Sequence, residues 1–192
     1  CHKPPVKEKT KHYFFKLINF SEELYKWLDE TQSLQKDVKK YVQNWIKGGL
    51  VDWDITRDIS WGVPIPMENA KGKVFYGWFD NHLAYISSAV KFLNDKGLDG
   101  KKFWNSADIY HFIGKDIVYH HYLFLPAMRI GIGKEYKLPD YIPTRGHLTL
   151  QSKKISKSRN WYIGLKEFLG YYPADYLRFY LVSITPYSQD DL

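Results

Sequence analysis

Four cations and two hydroxyls fall within seven residues at Lys153-Lys154-Ile155-Ser156-Lys157-Ser158-Arg159, with no acidic residue among them. Ammonium groups held together in this way can bind the oxygens of a polyphosphate and offset the charge that builds on them as a phosphoryl group is transferred. Upstream, residues 141–150 alternate as a strand would, and downstream Trp161 to Leu169 reads as a helical turn or two. A basic, hydroxyl-rich loop leaving a strand end is where an α/β protein holds phosphates. The same residues also read as a solvated basic loop, so the surrounding chain must decide.

Gly114-Lys115-Asp116 closes one apolar run and opens another. Glycine at a strand end lets a ligand approach the backbone, and Asp116 can accept hydrogen bonds from ribose hydroxyls or from an ammonium group; a helix cap is the alternative. On the following helix Ile117, His121 and Phe124 stand at i, i+4 and i+7 and so share a face. That face suits either a core with a satisfied histidine or a medium-sized apolar ligand carrying one soft or polar atom. His120 and His121 are adjacent, are expected to point to different faces, and lack the i, i+4 spacing of a helical zinc pair. Trp78 and Tyr85 could wall the same pocket or simply pack. Gly131-Ile-Gly-Lys134 lacks the earlier glycine and the hydroxyl residue of a Walker A loop.

The elements needed to position these groups can be traced along the chain. His12 to Ile18 reads as a short strand, and Ser21 as the cap of a helix that buries Phe20, Leu24, Trp27 and Leu28. A second helix starts near Asp37, carries Val38, Tyr41, Val42, Trp45 and Ile46 on one face, and stops at Gly48-Gly49. After a connector with two prolines, Lys73 to Phe79 reads as a strand, Asn81 to Leu93 as a helix with Leu83, Ile86, Val90 and Leu93 inward, and Ile109 to Gly114 as a strand. Lys115 to about Met128 reads as a helix ended or kinked by Pro126. Helices near Gly164–Leu169 and Pro173–Ile184 complete the chain. Strand and helix alternate from Lys73 onward, which predicts an α/β fold with parallel βαβ units.

The 192 residues suit one domain or one domain with an appendage. An aromatic fraction of 18% argues against disorder, and a formal net charge of +7 suits an anionic partner such as a nucleotide or a nucleic acid. One cysteine excludes an internal disulfide and fits a reducing compartment. No apolar run reaches the roughly 18 residues that a membrane span needs, so a soluble cytoplasmic protein with no membrane partner is expected.

Taken in order, these residues resemble a family. Lys154-Ile-Ser-Lys-Ser158 is similar to the K-M-S-K-S signature of the class I methionyl-tRNA synthetases, of archaeal or eukaryotic cytosolic type, with Ile155 in place of methionine. Asp52-Trp-Asp-Ile-Thr-Arg-Asp58 with Trp61-Gly-Val-Pro-Ile-Pro66 resembles their D-x-x-I-x-R-D and W-G-x-P-x-P connector. Lys73 to Asp80, His111-Phe-Ile-Gly-Lys-Asp116 and Pro173 to Tyr180 match in the same order. The chain departs from the family at Asn81 and His82, where A-P is usual, and at Leu125, where tryptophan is frequent. These departures bear on the tightness of the amino-acid pocket.

The resemblance implies the second half of a class I Rossmann-like parallel sheet. Residues 1–50 would be a small α+β remnant of the connective insertion, 51–170 the catalytic half-domain and 171–192 the start of a stem-contact region. It implies ATP-dependent methionyl-adenylate formation and transfer to tRNA, with Lys154 and Lys157 catalytic. Gly114, Asp116, Gly146, His147, Lys154, Ser156 and Lys157 would bind ATP with Mg2+, and Trp78, Tyr85, Ile117 and His121 would bind L-methionine. Cys1 resembles the last ligand of a zinc knuckle whose partners lie upstream; an unligated cysteine is the alternative. The family's H-I-G-H loop, the body of its insertion and its anticodon-binding domain have no counterpart in these 192 residues. The expected partners are therefore methionine, ATP, initiator or elongator methionine tRNA, and a chain supplying H-I-G-H, as in a split or truncated synthetase. The alternative is an inactive tRNA-binding accessory module on the same scaffold. A half sheet would also expose a strand edge.

Overall fold

The computed structural model describes residues 4–7, 9–133 and 135–184. β1 (Phe14–Phe15) pairs antiparallel with β2 (Trp53–Asp54), and between them lie α1 (Ser21–Glu30) and α2 (Lys36–Lys47). The expected long first strand is cut to two residues because a 3-10 turn, Leu17–Phe20, runs directly into α1. That turn displaces the expected cap: Phe20 holds the cap position, and the Ser21 hydroxyl instead donates to the Ile18 carbonyl at 2.7 Å. α2 ends as its sequence predicts, with Gly49 at φ 94°, a left-handed conformation that glycine adopts without strain.

β3 (Thr56–Arg57) pairs antiparallel with β4 (Val74–Phe75). The expected Lys73–Phe79 strand ends early, because Gly77–Asp80 folds as α3. There Phe79 packs on Phe75, Trp53 and Phe15, with ring centroids 5.2, 5.7 and 6.1 Å away. Tertiary packing of an aromatic residue thus overrides its strand preference. α4 (Ala84–Asn94) follows a 3-10 turn over Asn81–Leu83. Its inward face is narrower than expected: Ile86 is buried and Val90 packs beside it, whereas Leu83 is exposed. α5 (Gly100–Ser106) is an element the hydrophobic pattern did not announce. The Asp99 side chain caps it by accepting from the Lys102 amide at 2.9 Å. A Cβ at Gly100 would meet the Val90 carbonyl oxygen at 2.5 Å, so glycine is what lets α5 approach α4.

β5 (Ile113–Gly114) runs parallel to β6 (Thr144–Arg145), with Ile113 opposite Thr144 and Gly114 opposite Arg145. A bridge from Tyr110 to Tyr141, with His111 N–H to Tyr141 O at 2.9 Å and Ile113 N–H to Pro143 O at 3.0 Å, extends the parallel run. Of the parallel pairings expected from Lys73 onward, this one forms among the described residues, while β4 pairs antiparallel. The crossover from β5 to β6 stays helical from residue 115 to 131: a 3-10 turn over Lys115–Ile117, a π turn over His120–Phe124, and α6 (Leu125–Gly131). Pro126 does not end this helix. It falls in the first turn of α6, immediately after the wider π turn, where its missing N–H is tolerated.

The expected strand over residues 141–150 divides at Gly146. Its second part is β7 (Thr149–Leu150), which forms an antiparallel hairpin with β8 (Lys153–Lys154). α7 (Leu165–Tyr171) and α8 (Ala174–Ser183) close the described chain.

The main core joins the front of the chain to the crossover helix. Leu17, Leu24, Leu28, Leu34, Val42 and Ile46 meet Val118, Tyr122, Leu123, Phe124 and Ala127. Leu123 has no exposure. Leu123→Ala should therefore lower stability by about 2–5 kcal/mol, read as a shift in the urea midpoint at unchanged slope.

Candidate functional site

The carboxyl ends of β5 and β6 lie side by side, and the residues that follow each strand meet there. Asp116, just past β5, faces His147, just past β6, with Oδ1 3.6 Å from Nε2. A Cβ on Gly114 would lie 2.5 Å from Asp116 Oδ1. Glycine at this strand end therefore makes room for the carboxylate to fold back over the strand. Asp116 and His147 are both well exposed, so this strand end is polar and open. Gly146 connects β6 to His147.

The lysine segment follows His147 along the chain. Lys153 and Lys154 lie in β8, which corrects the expectation of an irregular loop: the cations begin on a hairpin arm. Ser156 bridges to Trp161, and Lys157–Arg159 form a 3-10 turn between them. The Ser156 and Ser158 hydroxyls lie 3.1 Å apart.

The second part of the site is a ring cluster on the crossover helix. The Tyr85 hydroxyl lies 3.2 Å from His121 Nε2, and His121 Nδ1 lies 3.1 Å from the Ile117 carbonyl. A carbonyl only accepts, so Nδ1 carries the proton and Nε2 accepts from Tyr85. Burial disfavours the charged ring and lowers the His121 pKa, against the Ile117 carbonyl, which raises it; the neutral ring leaves Nε2 free to accept. Tyr85 also lies against His111, with centroids 4.8 Å apart. Tyr85, His121, His111, Ile113 and Trp104 line a cavity of about 390 Å³. Trp78 borders the cluster from another side, 4.9 Å from His120 and 5.9 Å from His82. Ile117 takes part through its carbonyl.

The expectation that His120 and His121 face apart does not hold: both rings reach His82, at 5.3 and 5.4 Å. They lie in the π turn, which departs from the α-helical spacing assumed for them. His82 is 2% exposed, and neither ring nitrogen has a hydrogen-bond partner. Burial, reinforced by the neighbouring imidazoles, brings its pKa down to about 4. Burial and then the Arg129 guanidinium bring His111 down to about 3. Burial lowers His120 as well.

Motif reading did not place His82 and His120 in the site; a histidine where proline is usual was the one available signal. Cys1 lies outside the described residues. Among the described residues no group of three or more His, Cys, Asp or Glu could hold a metal ion, and no helix is long and apolar enough to cross a membrane.

A parallel pair with a crossover helix, an exposed Asp116–His147 pair at its carboxyl ends and a basic hairpin beyond it defines a Rossmann-like α/β module of the class I synthetase kind. Comparison with known proteins gives the family: the model for class I (M) tRNA synthetases matches residues 1–191, and the chain belongs to that family. It is 45% identical to the methionine–tRNA ligase of Methanopyrus kandleri over 192 residues, covering 99% of this chain and 28% of the relative. With the Methanobrevibacter smithii ligase it shares 42% over 190 residues, at the same two coverages. The chain thus spans little more than a quarter of the length of these curated relatives, each of which carries the matching segment within one longer chain. Among solved structures it is similar to the methionyl-tRNA synthetase of Mycobacterium tuberculosis in complex with methionyl-adenylate, with a TM-score of 0.81 and 28% identity. That match covers 95% of this chain and 35% of the other.

Proposed function

We propose that this chain forms one wall of the active site of a methionine–tRNA ligase, the wall that binds methionine and presents cations to ATP. The observation that carries the reading is the meeting of Asp116 and His147 at the ends of two parallel strands, with the lysine hairpin leaving the second. In the reaction, a carboxylate oxygen of methionine attacks the α-phosphorus of ATP, the α–β bridging P–O bond breaks, and pyrophosphate leaves. A hydroxyl of the terminal adenosine of tRNA then attacks the methionyl carbonyl, and AMP leaves.

Lys154 and Lys157 would offset negative charge on the phosphate oxygens, with Ser156 donating beside them. Asp116 would accept from the ribose, and Gly114, Gly146 and His147 would border the nucleoside. Tyr85 and His121 would line the pocket for the methionine side chain, with Ile117 holding His121 through its carbonyl and Trp78 backing the neighbouring histidines. Mg2+ would arrive with the nucleotide. The described residues do not supply a donor set for zinc. The rest of the triphosphate site would come from residues corresponding to the remaining length of the relatives, in the same chain or in a partner.

Methionine-dependent ATP–pyrophosphate exchange by the full-length protein, or by this chain supplied with the complementary segment, tests the reading. Tight methionine-tRNA binding without exchange would instead identify an accessory module. Within the pocket, Tyr85→Phe removes one hydrogen bond to His121. It should raise the KM for methionine about fivefold with the KM for ATP unchanged, as loss of roughly 1 kcal/mol of binding would.

A further inference from the structure

The lysine hairpin has little holding it from within. Each arm is two residues long. Its tip, Gln151-Ser152, has φ of 51° and 61°, a mirror-image turn that asparagine and glycine favour and that neither residue here suits. The tip and both residues of β8 are exposed, so no core lies under the second arm. An isolated two-stranded hairpin of this kind is marginal in water.

Trp161, outside the hairpin, is tied to it by two side-chain contacts and to the turn that follows it by its backbone. The indole N–H of Trp161 donates to the Leu150 carbonyl at 2.9 Å, on the entering arm. The face of its ring lies under the Lys153 ammonium, 5.0 Å from the centroid, on the leaving arm. Its backbone exchanges two bonds with Ser156, Ser156 N–H to Trp161 O at 2.9 Å and Trp161 N–H to Ser156 O at 3.0 Å. Asn160, at φ 52°, turns the chain back to make that closure. Lys157 therefore sits in a small loop whose base is the Ser156–Trp161 pair. Lys153 is occupied by the indole, and Lys154, its neighbour on the strand, points to the opposite side.

We propose that Trp161 is a positioning residue: it clamps the lysine hairpin in the shape that presents Lys154 and Lys157 to a polyphosphate. The proposal rests on the adenylation reading above. It differs from a packing role in that it concerns one substrate. Loss of the clamp should weaken use of ATP and leave methionine binding alone, because the methionine pocket is built on α4 and the crossover helix.

The test uses the full-length protein with Trp161→Phe, which keeps the ring and loses the N–H, Trp161→Ala, which loses both, and Lys157→Ala as the control on the reading itself. Two measurements are made: the separate KM values for ATP and methionine in pyrophosphate exchange, and the rate of tryptic cleavage after Lys153, Lys154, Lys157 and Arg159. Trp161→Phe should raise the KM for ATP about threefold to tenfold, the effect of one lost hydrogen bond. Trp161→Ala should lower kcat/KM for ATP about 10- to 100-fold, with the KM for methionine within about twofold, and should speed tryptic cleavage about tenfold. Unchanged ATP kinetics and cleavage in Trp161→Ala would overturn the proposal, as would an equal loss for both substrates with a lowered melting temperature. If Lys157→Ala leaves exchange intact, the adenylation reading fails, and the cleavage rates still decide whether Trp161 holds the hairpin.

Discussion

Lys157→Ala in the full-length protein is expected to lower the rate of methionine-dependent pyrophosphate exchange by roughly 10²–10³, the usual effect of removing one preorganised donor to a developing charge. The loss should appear in kcat and in kcat/KM for ATP, with the KM for methionine nearly unchanged, because the ammonium group acts on charge that is largest in the transition state. Lys157→Arg keeps the charge but spreads it over a planar fork, and should recover only part of the rate. Lys157 lies in an exposed 3-10 turn with no buried side chain. Its replacement should not disturb the fold, and an unchanged melting temperature checks this. A variant that retains full exchange activity would remove the lysine segment from the chemistry.

Acid should unfold this chain early, and the histidine cluster is the reason. His82 at about 4 and His111 at about 3 both lie below the ordinary value of 6.5, because burial disfavours the charged ring. Between those limits the unfolded chain binds more protons than the folded one, so stability falls as pH falls. The full contribution is present above pH 6.5 and is lost progressively down to about 3. At ~1.4 kcal/mol per pH unit of displacement, the two groups together lose on the order of several kcal/mol. After burial, the neighbouring charges contribute to those displacements: His82 faces His120 and His121, and His111 faces His121 and the Arg129 guanidinium. Melting temperature against pH should therefore drop sharply below about 6. His82→Leu should flatten the profile and leave the protein at least as stable at pH 7, since two buried, unpartnered nitrogens are removed. A melting temperature that stays level from pH 7 to about 4.5 would contradict this account.

Long, strongly periodic segments were legible in the sequence. α1 and α2 follow their apolar stripes, and Gly49 ends α2 where the pattern stops. The meeting of Asp116 with His147 was legible as a type of site, since ligands gather where parallel strands end. What failed did so where tertiary packing outweighs local preference. Phe79 left its strand to join three other rings, and Gly146 divided a run whose alternation looked continuous. The π turn could not be read from spacing, because spacing arguments assume 3.6 residues per turn. For that reason His120, set aside on helical geometry, turns out to share a neighbour with His121. Trp161, read as the start of a helical turn, instead bridges to Ser156, and α7 begins only at Leu165; a tryptophan after a basic loop carries no pattern that would announce its contacts with Leu150 and Lys153.

The core shared by residues 17–50 and 113–142 has a further consequence for how the pocket moves. A boundary at residue 50, where the resemblance would divide the chain, passes through that core. The helix carrying His121 is braced from behind by α1 and α2, so the three should exchange their amide hydrogens as one cooperative unit, more slowly than the lysine hairpin. The methionine wall would then be a rigid anvil and the phosphate arm a loose hammer, each tied to a different part of the chain. Substitutions in α1 or α2, far from any substrate, should change how firmly methionine is held before they change how ATP is handled.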